Sequence, residues 1–434
     1  MSSMGPDRGV KREGSGEGGL ASRLTVEDLP TEVLRGRRIF LRVDFNVPLD
    51  DRGRVTDASR IRGALPTLVD LRRAGGRLIL ASHLGRPGGK GDPATTLAPV
   101  ARELENLLGA PVRFLEESPE SRAVQDAVDE LGEGDVALLE NVRFEPGETK
   151  NDPGFAEVLA SLGDHFVSDA FGSAHRAHAS TVGVAQQIRK KGGRAVAGFL
   201  MARELRFLDE ALRDPGRPFV AVLGGAKISG KIEVVDAVLK RVDRLLVGGA
   251  MANTFLRALG LEVGRSLVEE DRVPLAREIL EETGDRLLLP VDCVVAPEIE
   301  RGVEVEVRAR DAIRPEDRIA DIGPETVRLY GEELAKAGTV VWNGPMGVFE
   351  VPPFDQGTRR VAEVLAQATR GGTVSVVGGG DSAAAAEAAG VAEAMSHVSS
   401  GGGASLELLA GKVLPGVEVL EAREPETAGP GSTS

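Results

Sequence analysis

The sequence predicts an α/β protein of two Rossmann-like domains with mostly parallel sheets, joined by a hinge helix. Three observations carry this expectation. Short β-rich runs alternate with helical patterns, the arrangement that builds parallel sheets. The 434 residues exceed the size at which a single hydrophobic core keeps growing. The polar residues at strand ends also change type midway, from Arg and His to Gly, Lys and Asp.

The elements follow in order. Met1 to Leu20 (MSSMGPDRGVKREGSGEGGL) is rich in Gly, Ser and charge and has no apolar run like that of a secretion signal, so residues 1–23 are expected to be a disordered extension. Arg38 to Val43 (RIFLRV) is a strand ending in the polar cluster Asp44, Asn46 and Pro48. Asp57 to Ala74 has helical apolar spacing and leads through Gly75-Gly76 into the strand RLILAS, which ends in His83-Leu84-Gly85-Arg86-Pro87. The pattern recurs at Val136 to Leu139 before Glu140-Asn141-Val142-Arg143, and at HFVSD before the loop Ala170 to Arg176. Open α/β sheets bind ligands at the carboxyl ends of their strands, so the repetition says more than any one loop.

Met201 to Arg213 is a long helical stretch before the turn Asp214-Pro215-Gly216, and residues 201–215 are the expected connector. A second series then begins: PFVAVLGG, RLLVGG, TVVWNG and TVSVVGGG are apolar strands running into Gly-rich turns. One such strand end is no more than a tight turn, but a series points to phosphate, because glycine lets backbone N–H groups approach it closely. The first half therefore suits a small anion and the second a nucleotide.

Composition narrows the class. An apolar fraction of 41% is enough for globular cores, and the net charge of −14 argues against a general nucleic-acid binder. An anionic substrate stays possible, since an arginine cluster can sit inside an acidic surface. The lone Cys293 allows no intramolecular disulfide and no multi-cysteine metal site, and its apolar neighbours mark a core thiol. No apolar run is long enough for a membrane, so a cytoplasmic setting is expected.

Common nucleotide signatures are missing. There is no complete G-x-x-x-x-G-K-[S/T] loop, no G-x-G-x-x-G between strand and helix with an acidic partner downstream, and no H-R-D or D-F-G pair. The residues by themselves lead to an α/β phosphate-handling enzyme of the transferase class and no further.

Resemblance goes further. Arg42 to Pro48 (RVDFNVP), Ser82 to Pro87 (SHLGRP), Glu140 to Phe144 (ENVRF) and Asp169 to His178 (DAFGSAHRAH) resemble, in order, the N-terminal elements of phosphoglycerate kinases. Leu223 to Ile232 (LGGAKISGKI), Gly248 to Phe255, Asp321 to Pro324, Trp342 to Glu350, Gly378 to Ser382 and Ser396 to Ser399 followed by Gly401 to Leu406 are similar to the C-terminal ones. The likeness runs from about residue 35 to 415.

That resemblance implies transfer of the acyl phosphate of 1,3-bisphosphoglycerate to ADP, reversible with 3-phosphoglycerate and ATP. It assigns Arg42, Asp44, Asn46, Arg60, His83, Arg86, Arg143 and Arg176 to the substrate, with His83 either binding it or fixing the loop. Arginine forks suit phosphate and carboxylate alike. Gly224, Gly225, Lys227, Lys231, Gly248, Gly249, Asn343, Glu350, Gly379, Gly380, Asp381 and Ser382 fall to the nucleotide, with Asp381 holding its Mg²⁺ and Glu350 the ribose. Lys227, Lys231 and Arg60 are the expected catalytic charges, acting on closure between the two halves. The implied domains are 24–200 with 406–425 returning to it, and 216–405, followed by a flexible tail at 426–434. A monomer is implied, with no nucleic-acid or membrane partner. Ser382 stands where the family usually has Thr, and the chain before the first strand is longer than usual. Two rivals remain: a non-catalytic scaffold of the same fold, and a two-domain kinase with another acceptor.

Overall fold

The computed structural model describes residues 19–89, 91–225 and 232–423, with the side chains of 232 and 233 excepted. Lys227 and Lys231 therefore lie outside the described residues, as does the tail 426–434. The chain divides into two compact units, one running to Asp209 and resuming at Val413, the other spanning Glu210–Lys412. The chain passes from the first unit to the second within the helix Phe199–Arg213.

The first unit holds β1 (Arg38–Val43), β2 (Arg77–Ala81), β3 (Arg113–Leu115), β4 (Val136–Leu139), β5 (His165–Asp169) and β6 (Ala195–Ala197). They form a six-stranded sheet in the order β3-β4-β2-β1-β5-β6, with every pairing parallel. A parallel sheet is covered on both faces, which is why β1, β2 and β4 are almost continuous apolar runs. Ile39, Leu41, Leu78, Leu80 and Leu138 are buried in one core with Leu68 and Leu71 of the helix Ser59–Arg73. From β1 the chain crosses to β2 on one side, and from β5 to β6 on the other. The gap between β1 and β5 is thus a topological switch point, where such sheets form their ligand crevice. Asp44 and the loop Ala170–Arg176 follow these two strands directly.

The second unit repeats the scheme. Its strands are β7 (Phe219–Leu223), β8 (Arg244–Val247), β9 (Leu287–Leu288), β10 (Asp292–Ala296), β11 (Glu306–Ala309), β12 (Arg318–Ile322), β13 (Thr339–Asn343), β14 (Val374–Gly378) and β15 (His397–Ser399). The parallel sheet has the order β15-β14-β13-β7-β8-β9, so its switch point lies between β7 and β13, above Gly224 and Gly344. Val220, Val222, Val340 and Trp342 are buried with Tyr330 and Leu365 from flanking helices. A separate antiparallel sheet, β11-β10-β12, has no counterpart in the sequence-based expectation. β11 reads EVRA with mostly exposed side chains, so it lacks the apolar run that marks the other strands.

Two boundaries differ from expectation. Residues 19–23, assigned to a disordered extension, are tied to the C-terminal segment. Leu24 N donates to Glu421 O at 2.7 Å, Arg423 N to Ser22 O at 2.7 Å, and the Arg23 guanidinium to Leu420 O at 2.7 Å. The return to the first unit begins at Val413 rather than near 406, because the helix Gly402–Leu409 packs on β14 and the helix Ile232–Leu239 of the second unit. Among the described residues no helix is long and apolar enough to cross a membrane.

Candidate active site

The first crevice is built from the loops after β1, β2, β4 and β5. Phe45 N donates to Ser82 Oγ at 2.8 Å and Gly85 N to Asn46 Oδ1 at 2.8 Å, so the loops after β1 and β2 are stitched together. Asn46 thus shapes the loop that carries Arg86. Asn141 Nδ2 donates to Leu84 O at 2.7 Å and to Thr95 O at 2.8 Å, fixing the turn that presents Arg143. Arg143 Nη1 then donates to Gly85 O at 2.7 Å, while its buried Nε has no partner among the described residues. An orphaned buried guanidinium donor costs about 1–3 kcal/mol unless a ligand or water meets it. Arg176 is half-buried, its Nε against His175 Nε2 at 3.0 Å, and Arg86 is exposed.

Charge in this crevice is one-sided. Burial pushes the Arg143 guanidinium down to about 10, helped by Arg176 and Arg42. Burial, with Arg143, Arg42 and Arg176, also holds His178 at about 4. Asp44 is the counterweight: it takes Arg60 Nη1 on Oδ2 at 2.6 Å. Burial would raise its pKa, but the surrounding positive charge, Arg60 and Arg42 included, and the Asn46 N–H outweigh that and keep the carboxylate below its ordinary value. Asp44 therefore aims Arg60 instead of merely neutralising it.

Arg42 departs from expectation. It is 1% exposed, and all three sides of its fork are used by the protein. Nε donates to Ser180 Oγ at 2.9 Å, Nη1 to Val43 O, and Nη2 meets His83 Nδ1 at 3.1 Å. In this structure the side chain is buried and bonded to the protein, so its observed contacts are structural and not ones that face solvent. Behind Ser180 stands Glu148, fully buried, whose Oε1 accepts from Ser180 Oγ at 2.6 Å and Oε2 from Ser180 N at 2.9 Å. Burial pushes the Glu148 carboxyl up, while Arg42, Ser180 and Arg143 pull it back.

In the second unit a cavity of about 350 Å³ opens beside the strand ends. Leu256, Leu267 and Val348 give it apolar walls, and Gly249, Glu350 and Asp381 share its lining. Such a cavity suits a flat heterocycle with polar groups at its mouth. The glycines earn their place differently from the expected phosphate cradle. Gly224 N donates to Asn343 O, Gly225 N to Pro345 O, Gly248 N to Leu223 O and Gly249 N to Met346 O, all at 2.8–3.0 Å. Their N–H groups are already spent on neighbouring carbonyls. What they supply is closeness: a Cβ on Gly224 would stand 2.1 Å from Pro345 O.

Gly379 (φ +103) precedes the helix Gly380–Ala388, whose first turn carries an exposed Asp381. The early N–H groups of a helix lack intrahelical acceptors and favour anions, so this terminus keeps the phosphate-facing role open. Ser382 follows in the same turn. Its buried Oγ accepts from Gly344 N at 2.6 Å, holding the turn after β13. Asn343, also buried, donates to Gly402 O at 3.0 Å. Cys293 is a free, buried thiol pushed up to about 12 by burial and the nearby Asp292, which disfavours the thiolate form.

Comparisons with known proteins bear on the fold and the family. The sequence profile of the phosphoglycerate kinase family matches residues 26–412. The chain belongs to the phosphoglycerate kinase family. A phosphoglycerate kinase of Chloroflexus aggregans is 53% identical over 90% of this chain and 97% of its own length. One from Pelodictyon phaeoclathratiforme is 52% identical over 89% and 97%. Among solved structures, the phosphoglycerate kinase of Coxiella burnetii superimposes with a TM-score of 0.77 at 41% identity, covering 92% of this chain and 98% of that one. That of Pyrococcus horikoshii gives 0.79 at 34% identity, with the same coverage.

Sequence reasoning overlooked some residues of this phosphoglycerate kinase site. Ser82, Glu148, Ser180 and Asp321 were given no role. Asp321 is buried at the cavity wall, accepting from Gly357 N at 2.6 Å and Ile322 N at 2.9 Å. Burial, with Asp355, pushes it up to about 8 against those two bonds. Its place in the motif Asp321 to Pro324 was the available signal. Glu148 and Ser180 carried none, since isolated Glu and Ser are common everywhere.

Proposed function

We infer that this chain catalyses the reversible transfer of the acyl phosphate of 1,3-bisphosphoglycerate to ADP, giving 3-phosphoglycerate and ATP. The observation that carries the reading is family membership over nearly the whole chain. We propose further that Arg60, Arg86, Arg143 and Arg176 hold the anionic groups of the three-carbon substrate. The unpartnered Arg143 Nε and the Asp44–Arg60 pair support this. His83 adds a hydrogen bond, and Asn46 shapes the loop.

The nucleotide is proposed to lie in the cavity of the second unit, with Glu350 toward the ribose and its phosphates toward the helix beginning at Gly380. Asp381 fits a Mg²⁺–nucleotide complex. It is an exposed carboxylate on the lining of that cavity, and Mg²⁺ takes most of its remaining oxygens from phosphates and water. When bound, the ion neutralises phosphate charge.

The acceptor oxygens are ionised at neutral pH, so the protein needs no catalytic base and no covalent intermediate. Its task is alignment and charge neutralisation. Lys227 and Lys231 are proposed as the charges on the moving phosphoryl group, with Arg60 joining them. By family resemblance we propose a cytoplasmic monomer.

The test is turnover with 3-phosphoglycerate and Mg-ATP, coupled to glyceraldehyde-3-phosphate dehydrogenase. Lys227→Ala should lower it at least about a hundredfold. Turnover indifferent to Lys227 removes that residue from the mechanism. A folded wild type without turnover favours the scaffold.

A further inference from the structure

A buried chain of side chains in the first unit ends on His83. Glu148 accepts from the Ser180 hydroxyl at 2.6 Å. The same Ser180 oxygen accepts from Arg42 Nε at 2.9 Å, and Arg42 Nη2 lies 3.1 Å from His83 Nδ1. Each link has one polarity. A guanidinium only donates, so His83 Nδ1 must be the acceptor, and the ring must carry its proton on Nε2. Among the described residues no hydrogen bond uses Nε2. A protonated ring would set an N–H against the Arg42 N–H and add a cation beside Arg42, Arg143 and Arg60. Burial and those arginines, against Asp44, hold the imidazole pKa well below its ordinary value.

We propose that the Glu148–Ser180–Arg42 chain is a positioning device that fixes His83 as the neutral Nε2–H tautomer, an uncharged hydrogen-bond donor in the substrate crevice. This rests on the functional reading above, which places His83 in that crevice. Glu148 supplies the countercharge that lets Arg42 stay buried, and Ser180 transmits it without placing a carboxylate against an anionic substrate. Arg42 in turn fixes which ring nitrogen bears the proton. A neutral donor distinguishes itself from the surrounding arginines by direction: it offers one N–H along the ring plane and can meet a substrate hydroxyl or carboxylate without adding charge. Second partners that set a histidine's tautomer in this way are familiar at metal and catalytic sites.

A purely structural alternative exists, because Glu148 also accepts from Ser180 N at the start of the helical segment after His178. Ser180→Ala separates the two roles. It keeps that backbone bond and removes only the hydroxyl between Glu148 and Arg42. The experiment has two readouts on the full chain: the His83 ring-nitrogen signals at pH 7 by ¹⁵N NMR, assigned with His83→Gln, and KM for 3-phosphoglycerate and Mg-ATP with the melting temperature. The chain has five histidines, so the spectrum is tractable.

The expected wild-type ring is protonated at Nε2 and not at Nδ1. Ser180→Ala should disturb that pattern and raise the 3-phosphoglycerate KM roughly tenfold, while the Mg-ATP KM and melting temperature stay near wild type. Ser180→Thr should restore both. A wild-type ring protonated at Nδ1, or at both nitrogens, overturns the proposal. So does a Ser180→Ala enzyme with unchanged tautomer and KM, or one whose two KM values shift together as its melting temperature falls. A wild type without 3-phosphoglycerate-dependent turnover would overturn the functional reading and the inference with it.

Discussion

Gly249→Ala should weaken nucleotide binding far more than its size suggests. Gly249 has φ +63, a left-handed backbone, and a Cβ there would stand 2.6 Å from Gly225 N and 2.8 Å from Gly225 O. Ordinary contact begins at 3.4 Å, so the new methyl is too close by about 0.8 Å, and both obstacles are backbone. The left-handed conformation costs about 1–2 kcal/mol for an L-residue. Overpacking against backbone that must move adds about 1–3 kcal/mol. Gly225 and Gly249 both line the cavity, so the displacement that relieves the clash deforms the nucleotide wall itself. We expect the Mg-ATP KM to rise at least about tenfold, with the 3-phosphoglycerate KM close to wild type. Gly260→Ala is the control. Gly260 is also left-handed, at φ +78, but nothing lies within 4 Å of its Cβ position. That variant should lose only the conformational part, seen as a lower melting temperature, and keep its nucleotide KM. Steady-state kinetics and thermal melts on both variants decide the matter. A Gly249→Ala enzyme with an unchanged Mg-ATP KM, or one indistinguishable from Gly260→Ala, would refute the close-approach reasoning.

Two further predictions concern charge. Asp44→Asn should raise the 3-phosphoglycerate KM about tenfold or more by releasing Arg60, and it should change acid stability in a defined direction. The Asp44 pKa is depressed in the fold, so its contribution is present above the unfolded value near pH 4 and lost as pH falls through the folded one. Melting temperatures at pH 7 and pH 3 should therefore show the wild-type advantage shrinking in acid, and an advantage that grows there would contradict the assignment. Asp321 runs the other way: its folded pKa is raised to about 8, so its favourable state is present below about pH 4 and is lost as pH rises toward 8. Asp321→Asn removes that dependence. Its stability relative to wild type should improve from pH 5 to pH 8 by at most roughly 1.4 kcal/mol per pH unit, and a flat difference would show Asp321 to be ionised throughout.

Much of the fold was legible because its signals are local. RIFLRV, RLILAS, PFVAVL and TVVWN announce themselves as doubly covered strands, since a parallel strand is apolar on both faces. The polar clusters after them marked the ligand ends of two sheets, and the structure puts those clusters at both switch points. The antiparallel sheet escaped notice because Glu306–Ala309 has no apolar continuity and carries only a short polar–apolar alternation, unlike the doubly covered strands.

By itself, the sequence determined the two α/β units, the strand ends that carry chemistry, and the family. Tertiary structure decided which way each of those residues faces. Arg42 looked like one more anion binder, yet it bonds Ser180, 138 residues away, and turns inward. Ser382 and the paired glycines looked like phosphate ligands, yet their polar groups hold neighbouring turns together. Glu148 and Ser180 meet across 32 residues of chain. A motif records which residue types recur at a strand end, whereas the direction of a donor depends on partners brought close by folding, and those partners are scattered through the sequence.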